Sequence, residues 1–134
     1  MTTTPMPVLE ELSAAEALRL MAGVPVGRVV FTEGALPAIR PVHFVLDDGG
    51  IVFRIVGAQR LADGLHNTVV AFQTDEYQAD RGDGWTVTAT GHATRITDQD
   101  EIARLARQLP LPWSDRGHMF RIEPELVTGR RLTR

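Results

Sequence analysis

Three stretches rich in β-branched and aromatic residues follow one another between residues 26 and 56, with only short turns between them. They are predicted as strands over residues 27–32, 37–46 and 51–56. The second turn, residues 47–50 (DDGG), is typical of a tight hairpin. Because parallel strands need a crossover of about a dozen residues or more, these three strands are predicted to form an antiparallel meander.

The rest of the chain adds three strands and three short helices to this pattern. Strands are expected over residues 68–73, 85–96 and 118–122, and helices over Ala14–Ala22, over residues 59–66 and from Asp98 to Pro110. Gly91 inside a strand with alternating apolar and threonine residues predicts a bulge or bend. The second strand is apolar on both faces, so both faces need cover. We therefore expect a mainly β fold: six antiparallel strands in a closed or nearly closed barrel, with short flanking helices.

Length and charge narrow the class of protein. The 134 residues are expected to form one domain over residues 13–134, preceded by a flexible N-terminal arm over residues 1–12. A net charge of −3 disfavours nucleic acid as the main partner. No apolar run approaches the ~20 residues that span a bilayer, and the N-terminus lacks the pattern of a secretory signal. A cytoplasmic protein that neither enters a membrane nor binds nucleic acid is expected.

Several reactive residue types are missing. The chain has no lysine and no cysteine, and all 14 basic residues are arginine. Schiff-base lysines, cysteine nucleophiles and thiolate metal sites are therefore excluded. The only serines, Ser13 and Ser114, are predicted as a helix cap and a loop residue, and the four histidines lack the spacing of a metal site. Any redox or group-transfer chemistry is expected to come from a bound cofactor, with arginine holding an anionic part of it.

Arginine and proline at unusual places mark candidate binding residues. Pro41 cannot donate to a sheet ladder, so an edge, a bulge or a ligand is expected beside it. Its neighbour Arg40 shares a face with apolar residues and needs a partner, either a carboxylate or a ligand. Arg54 and Arg60 bracket the predicted turn before the middle helix, where they either contact phosphate or are simply solvated.

Two tryptophans leave a similar choice open. Trp85 begins the long threonine-rich strand and either packs in the core or lies at a pocket mouth. Trp113 lies between prolines and a polar loop and covers either a pocket or a dimer contact.

Four segments, taken in order, resemble the pyridoxamine 5′-phosphate oxidase-like, FMN-binding split-barrel family, and its small actinobacterial members in particular. They are VGRVVFTEGALPAIRPVHFVLDDGGIVFR (26–54), AQRLADGL (58–65), GWTVTATGHATRITD (84–98) and HMFRIEPELVTGRRL (118–132). The resemblance implies a six-stranded antiparallel split β-barrel that forms homodimers, with two FMN molecules at the dimer interface. It also implies an FMN-dependent oxidoreductase whose substrate is unknown, with hydride transfer through the flavin.

The resemblance also implies a set of cofactor-binding residues. Arg40, Pro41 and Val42 would lie along the isoalloxazine ring; Arg54, Ile55, Gln59, Arg60 and Leu61 would surround the ribityl phosphate; and Trp85 would approach from strand 5 of the same or the partner subunit. Many members carry threonine in place of Ile55 and serine in place of Gln59, and both hydroxyls bond the phosphate.

These departures keep two alternatives open. One is a reductase that uses the deazaflavin F420, whose acidic tail would need a basic groove to which Arg54, Arg60 and Arg130 could contribute. The other is a non-catalytic dimer that binds flavin or another ligand. True pyridoxamine phosphate oxidase activity is not expected, because the chain is short and lacks a clear substrate-phosphate motif.

Overall fold

The computed structural model describes residues 6–57, 59–110 and 117–134. In chain order the helices and strands are β1 (Val8–Leu12), α1 (Ala14–Ala22), β2 (Val26–Glu33), β3 (Leu36–Asp47), β4 (Gly50–Ile55), α2 (Gln59–Leu65), β5 (Thr68–Gln78), β6 (Asp83–Arg95), α3 (Gln99–Ala106) and β7 (His118–Thr133). In the described ranges, none of the helices is long and apolar enough to cross a membrane.

Six of the strands close into an antiparallel ring. In the order β7, β4, β3, β2, β5 and β6, each strand bonds to the next, and β6 returns to β7. β1 pairs with the far end of β7, outside the part that β4 contacts. The predicted mainly β barrel of six antiparallel strands with short flanking helices is therefore confirmed.

The ring is split along β3, which has different partners along its length. Residues Leu36–His43 pair with β2, and residues Phe44–Asp47 pair with β4. Among the described strands, none pairs with the first part of β3 on the side opposite β2. The edge predicted beside Pro41 is therefore present.

The barrel interior is filled by aromatic and aliphatic side chains from the inward faces of the strands. Phe53 stacks between Phe72 and Phe120, with ring centroids 6.1 and 5.8 Å away. Phe44 meets Phe72 edge-on at 4.9 Å. All four rings are buried, so this cluster fixes the mutual positions of the strands that surround it.

A second, smaller core lies outside the ring, beneath α3. Leu105 of α3 is fully buried in a cluster with Val52 of β4 and Met119 of β7, and Val45 of β3 packs against that cluster. Burial on both faces, predicted for β3, is thus found in β4 and in the last part of β3. Nearer the start of β3, Ile39 is 63% exposed, so α3 does not cover that part of the sheet.

Two local predictions are confirmed in detail. α1 spans Ala14–Ala22, and the Ser13 hydroxyl accepts the Glu16 N–H at 3.2 Å, as the capping box predicted. The register of β6 on β7 shifts at Gly91, which is the predicted bulge. A Cβ on Gly91 would overlap the carbonyl oxygen of Glu123, so the bulge requires glycine for close backbone approach.

The two ends of the chain differ from the sequence prediction. Val8–Leu12, expected within the flexible arm, forms β1, and the basic tail continues β7 to Thr133. The two segments pair with Glu10 opposite Arg131 and Glu11 opposite Arg130, and opposite charges across strands stabilise such pairing. The local sequence of either segment gives no sign of this, because the partners lie at opposite ends of the chain.

Candidate functional site

The unpaired part of β3 forms one wall of the candidate site. Phe44 donates its N–H to the carbonyl of Pro25, on the β2 side, at 3.4 Å. Backbone groups of alternate residues in a strand point the same way. Since those of Phe44 face β2, the backbone groups of Pro37, Ile39 and Pro41 face the free edge. Two of these three residues have no N–H. The edge thus offers carbonyl oxygens and few donors, which also limits pairing with another strand.

Arg40 lies at the boundary between this edge and the turn that follows β4. Its side chain is half-buried, and Nη1 donates a long hydrogen bond of 3.4 Å to the carbonyl of Val56. A Cβ on Gly57 would lie 4.0 Å from that same nitrogen and 3.2 Å from Leu61. The fold therefore brings Arg40 next to the start of α2, as the predicted site requires.

Within the described residues, Arg40 has no carboxylate partner. Seven described arginines have a carboxylate oxygen within 4.0 Å: Arg19, Arg28, Arg81, Arg95, Arg104, Arg121 and Arg131. Six others have none among the described residues: Arg40, Arg54 and Arg60, which flank the turn between β4 and α2, and Arg107, Arg130 and Arg134, which lie elsewhere. A guanidinium without an acidic partner keeps its donors available to an anion.

Arg60 and Leu61 line the largest crevice in this region. It has a volume of about 530 Å³ and lies between α2 and the β2–β3 hairpin, with a lining of Phe31, Thr32, Glu33, Gly34, Leu36, Arg60, Leu61, Gly64 and Leu65. Among the described residues the lining is mostly apolar, with one cationic side chain, Arg60, and one acidic side chain, Glu33. A crevice of this size with one cation at its wall has the character of a small-molecule site.

Neither position at which the family carries a hydroxyl, Ile55 or Gln59, has one here. Ile55 is 2% exposed and belongs to the main core, as does Leu61. Gln59 is exposed, but its amide donates to Asp63 Oδ1 at 2.9 Å. An anion at this turn would therefore meet guanidinium groups rather than hydroxyls.

Arg54 and Trp85 lie apart from this crevice. Arg54 lines a separate pocket of about 130 Å³ with Arg95 and His118. Trp85 packs against the main core and lines a pocket of about 200 Å³ that includes Arg131. One subunit thus places Arg40 beside the turn at Gly57 and Arg60 and Leu61 along one crevice. Val42 is 8% exposed and belongs to the main core. Trp113 falls outside the described residues.

An exposed apolar row crosses the outer face of the sheet, and the sequence analysis did not single it out. The register places Ile39, Val30, Ala71, Thr90 and Leu126 side by side on five strands. Ile39 and Leu126, at the two ends of the row, are 63% and 61% exposed. The apolar outer face of the second strand was the available signal. A row of this kind is typical of a surface that a partner covers.

Comparisons with known proteins agree with the fold. The family model described as pyridoxamine 5′-phosphate oxidase matches residues 13–131. An uncharacterized protein of Mycobacterium tuberculosis is 42% identical over 129 residues, which cover 91% of this chain and 84% of the relative.

Two solved structures show the same architecture. The FAD binding protein from Mycobacterium smegmatis is 31% identical with a TM-score of 0.76, over 92% of this chain and 98% of that chain. A pyridoxamine 5′-phosphate oxidase candidate from Corynebacterium glutamicum is 30% identical with a TM-score of 0.78, over 93% and 94% of the two chains. Together with the split six-stranded ring, these matches show that the chain belongs to the pyridoxamine 5′-phosphate oxidase family.

Proposed function

We propose that this protein is a flavin-dependent oxidoreductase that binds FMN at a homodimer interface. The observation that carries the proposal is the position of Arg40 and Arg60, two guanidinium groups without described acidic partners on either side of one turn. The turn adjoins an unpaired strand edge and an apolar crevice of about 530 Å³. The FAD binding relative from Mycobacterium smegmatis supports a flavin as the ligand.

The residues present fit an anionic flavin, but they offer its phosphate fewer hydrogen bonds than the family pattern does, so a lower affinity is expected. Guanidinium groups can hold the phosphate, whereas Ile55 and Leu61 are buried apolar residues and offer it no bond. Each missing hydrogen bond to a charged group costs very roughly 1.5–3 kcal/mol. We therefore expect FMN to bind and to be lost easily during purification.

A bound flavin would supply the hydride-transfer chemistry, and the protein would supply binding, orientation and exclusion of water. Arg40, Pro41 and Val42 would orient the ring from the β3 edge. Carbonyl oxygens along that edge can accept hydrogen bonds from N–H groups of a ligand. No acidic or basic side chain of the chain is required for the redox step itself.

The homodimer is proposed from the exposed apolar row between Ile39 and Leu126. A second copy that covers this row would remove two large aliphatic side chains from water on each subunit. Burial of such side chains stabilises an interface by ~25 cal/mol per Å² of apolar surface. Residues of the partner, among them Trp85 as predicted, could then complete a site that one subunit leaves open.

The direct test measures flavin binding to the purified protein. The expected result is a flavin absorbance band that stays with the protein after free FMN is removed by gel filtration, and a fall in affinity of about tenfold or more in Arg60→Ala. Arg107→Ala, at an exposed arginine that follows α3 and does not line the crevice, is the matched control and should bind FMN as the wild type does. Unchanged FMN affinity in Arg60→Ala would remove the phosphate assignment.

The same titration distinguishes the alternatives. Uptake of F420 but not of FMN would replace the proposal with the deazaflavin reductase. Binding of neither by a dimeric protein would favour the non-catalytic alternative, which Ile55 and Gln59 support because they replace the family's hydroxyls.

A further inference from the structure

Three nitrogen-bearing side chains line a small pocket that shares no lining residue with the crevice at Arg60. Arg54 comes from β4, Arg95 from the end of β6 and His118 from the start of β7. The pocket has a volume of about 130 Å³, and its other lining residues are Ile96, Ile102, Gly117 and Met119. Among the described residues of the lining, the polar side chains are those of two arginines and a histidine.

Arg95 is held in place by neighbours on both sides. Its Nη2 donates to His118 Nδ1 at 2.6 Å, and its backbone N–H donates to His66 Nδ1 at 3.1 Å. Because a guanidinium can only donate, His118 Nδ1 is the acceptor and the imidazole proton is on Nε2. Each of the three side chains in the pocket thus presents at least one N–H donor.

Positive charge in the pocket exceeds the negative charge near it. Among the described residues, the one carboxylate within 4.0 Å of these side chains is Asp63, whose Oδ1 lies 3.7 Å from Arg95 Nη1. Arg54 has no carboxylate at that distance. Its stem lies against Gly117, where a Cβ would come within 2.6 Å of Arg54 Cγ. Glycine at this position allows the arginine to lie along the pocket wall.

The size of the pocket restricts what it can bind. A pocket of about 130 Å³ has room for one tetrahedral oxyanion, since a water molecule needs only ~10–15 Å³ on the same measure. The apolar residues that complete the wall lower the local dielectric and strengthen charge-assisted bonds to such an anion.

We propose that the Arg54–Arg95–His118 pocket is a separate binding site for a phosphate-type oxyanion. The site is independent of the flavin proposal, because Arg40 and Arg60 do not line it. The anion is either free phosphate or the phosphate group of a ligand that extends into solvent.

The test uses inorganic phosphate as the probe, at constant ionic strength near neutral pH. Isothermal titration and the phosphate-dependent rise in the midpoint of thermal unfolding are measured on the wild type and on four variants. Arg54→Met keeps the aliphatic stem over Gly117 and removes the charge, and Arg95→Gln removes the central donor. Arg19→Gln and Arg107→Gln are controls, because each removes an exposed cation that lines neither this pocket nor the crevice at Arg60.

We expect saturable phosphate binding that falls about tenfold or more in Arg54→Met and Arg95→Gln and stays within about twofold of wild type in both controls. If Arg95→Gln does not fold, Arg54→Met alone decides. Equal losses in all four variants would show non-specific surface attraction and overturn the proposal, as would the absence of saturable binding.

Titration of the same variants with FMN distinguishes a separate phosphate site from a site for the flavin phosphate. FMN affinity should be unchanged in Arg95→Gln, whereas it falls in Arg60→Ala if the proposed function holds. A loss of FMN affinity in Arg95→Gln that matches its loss of phosphate affinity would mean that the pocket holds the flavin phosphate, and the separate site would be refuted. Failure of FMN to bind at all leaves the phosphate result interpretable.

Discussion

Asp47 joins the end of β3 to α3 and β7, and its replacement tests how far ion pairs hold the outer layer of the fold. Its carboxylate accepts from Arg104 Nη1 and Nη2 at 2.9 and 3.2 Å and from Arg121 Nη2 at 2.7 Å. Arg121 also donates to the Asp47 backbone carbonyl at 2.9 Å and contacts Glu101 at 3.2 Å. A Cβ on Gly50 would lie 2.6 Å from this guanidinium, so the hairpin turn leaves the space that it occupies.

The two arginines should contribute unequally to stability. The side chains of Asp47 and Arg121 are 16% and 17% exposed, whereas that of Arg104 is 51% exposed. Exposed pairs contribute ~0.2–1 kcal/mol, and hydrogen bonds to charged groups with little solvent contact contribute about 1.5–3 kcal/mol. Asp47→Ala should therefore lower the free energy of unfolding by about 2–3 kcal/mol, and Arg104→Ala by less than about 1 kcal/mol.

The assay is urea unfolding of both variants and of Asp80→Ala, an exposed acidic residue in the β5–β6 turn that should be neutral. The m-value should stay constant while the midpoint falls. Equal losses in Asp47→Ala and Arg104→Ala, or a loss in Asp47→Ala below about 0.5 kcal/mol, would refute the claim that burial of Arg121 sets the magnitude.

Acid adds an independent check on the same carboxylate. The bonds from Arg104 and then Arg121 hold the pKa of Asp47 well below its ordinary value. A carboxyl whose folded pKa is depressed stabilises the fold above its unfolded pKa, about 3.9, and that contribution is lost as the pH falls. Wild type should therefore lose more stability than Asp47→Ala between about pH 5 and pH 2; parallel losses would contradict the assignment.

Three further substitutions probe the bulge, the core and the proposed interface. Gly91→Ala forces a methyl group onto the Glu123 carbonyl and should cost about 1–3 kcal/mol in urea unfolding; no cost would mean that the bulge relaxes freely. Thr74→Val removes a fully buried hydroxyl without a described hydrogen-bond partner and should raise stability by about 1 kcal/mol; a loss would point to a buried water bound there. Ile39→Glu should shift the protein from dimer to monomer in sedimentation, whereas Leu36→Glu, on the hairpin tip, should not; a wild-type monomer would refute the proposed interface.

Much of the candidate site follows from the sequence, and its limits have a physical reason. The missing N–H of Pro41 indicated an unpaired edge, and the resemblance placed Arg40 and Arg60 at one site; the structure brings both to the turn after β4. The resemblance put Arg54 at the same site, whereas the structure places it in a separate pocket. Its position in β4 decides which face its side chain takes, and that face is set by the burial of Phe53 and Ile55 on the other side.

Local sequence determined the elements of this protein. Periodicity, turn residues and caps specify where strands and helices lie, because these signals act within a few residues. Only the tertiary structure decided what meets across the chain: β1 on the end of β7, α3 over β4, and Arg95 beside His118. These contacts depend on how the ring closes, and ring closure is a property of the whole barrel that no short segment encodes.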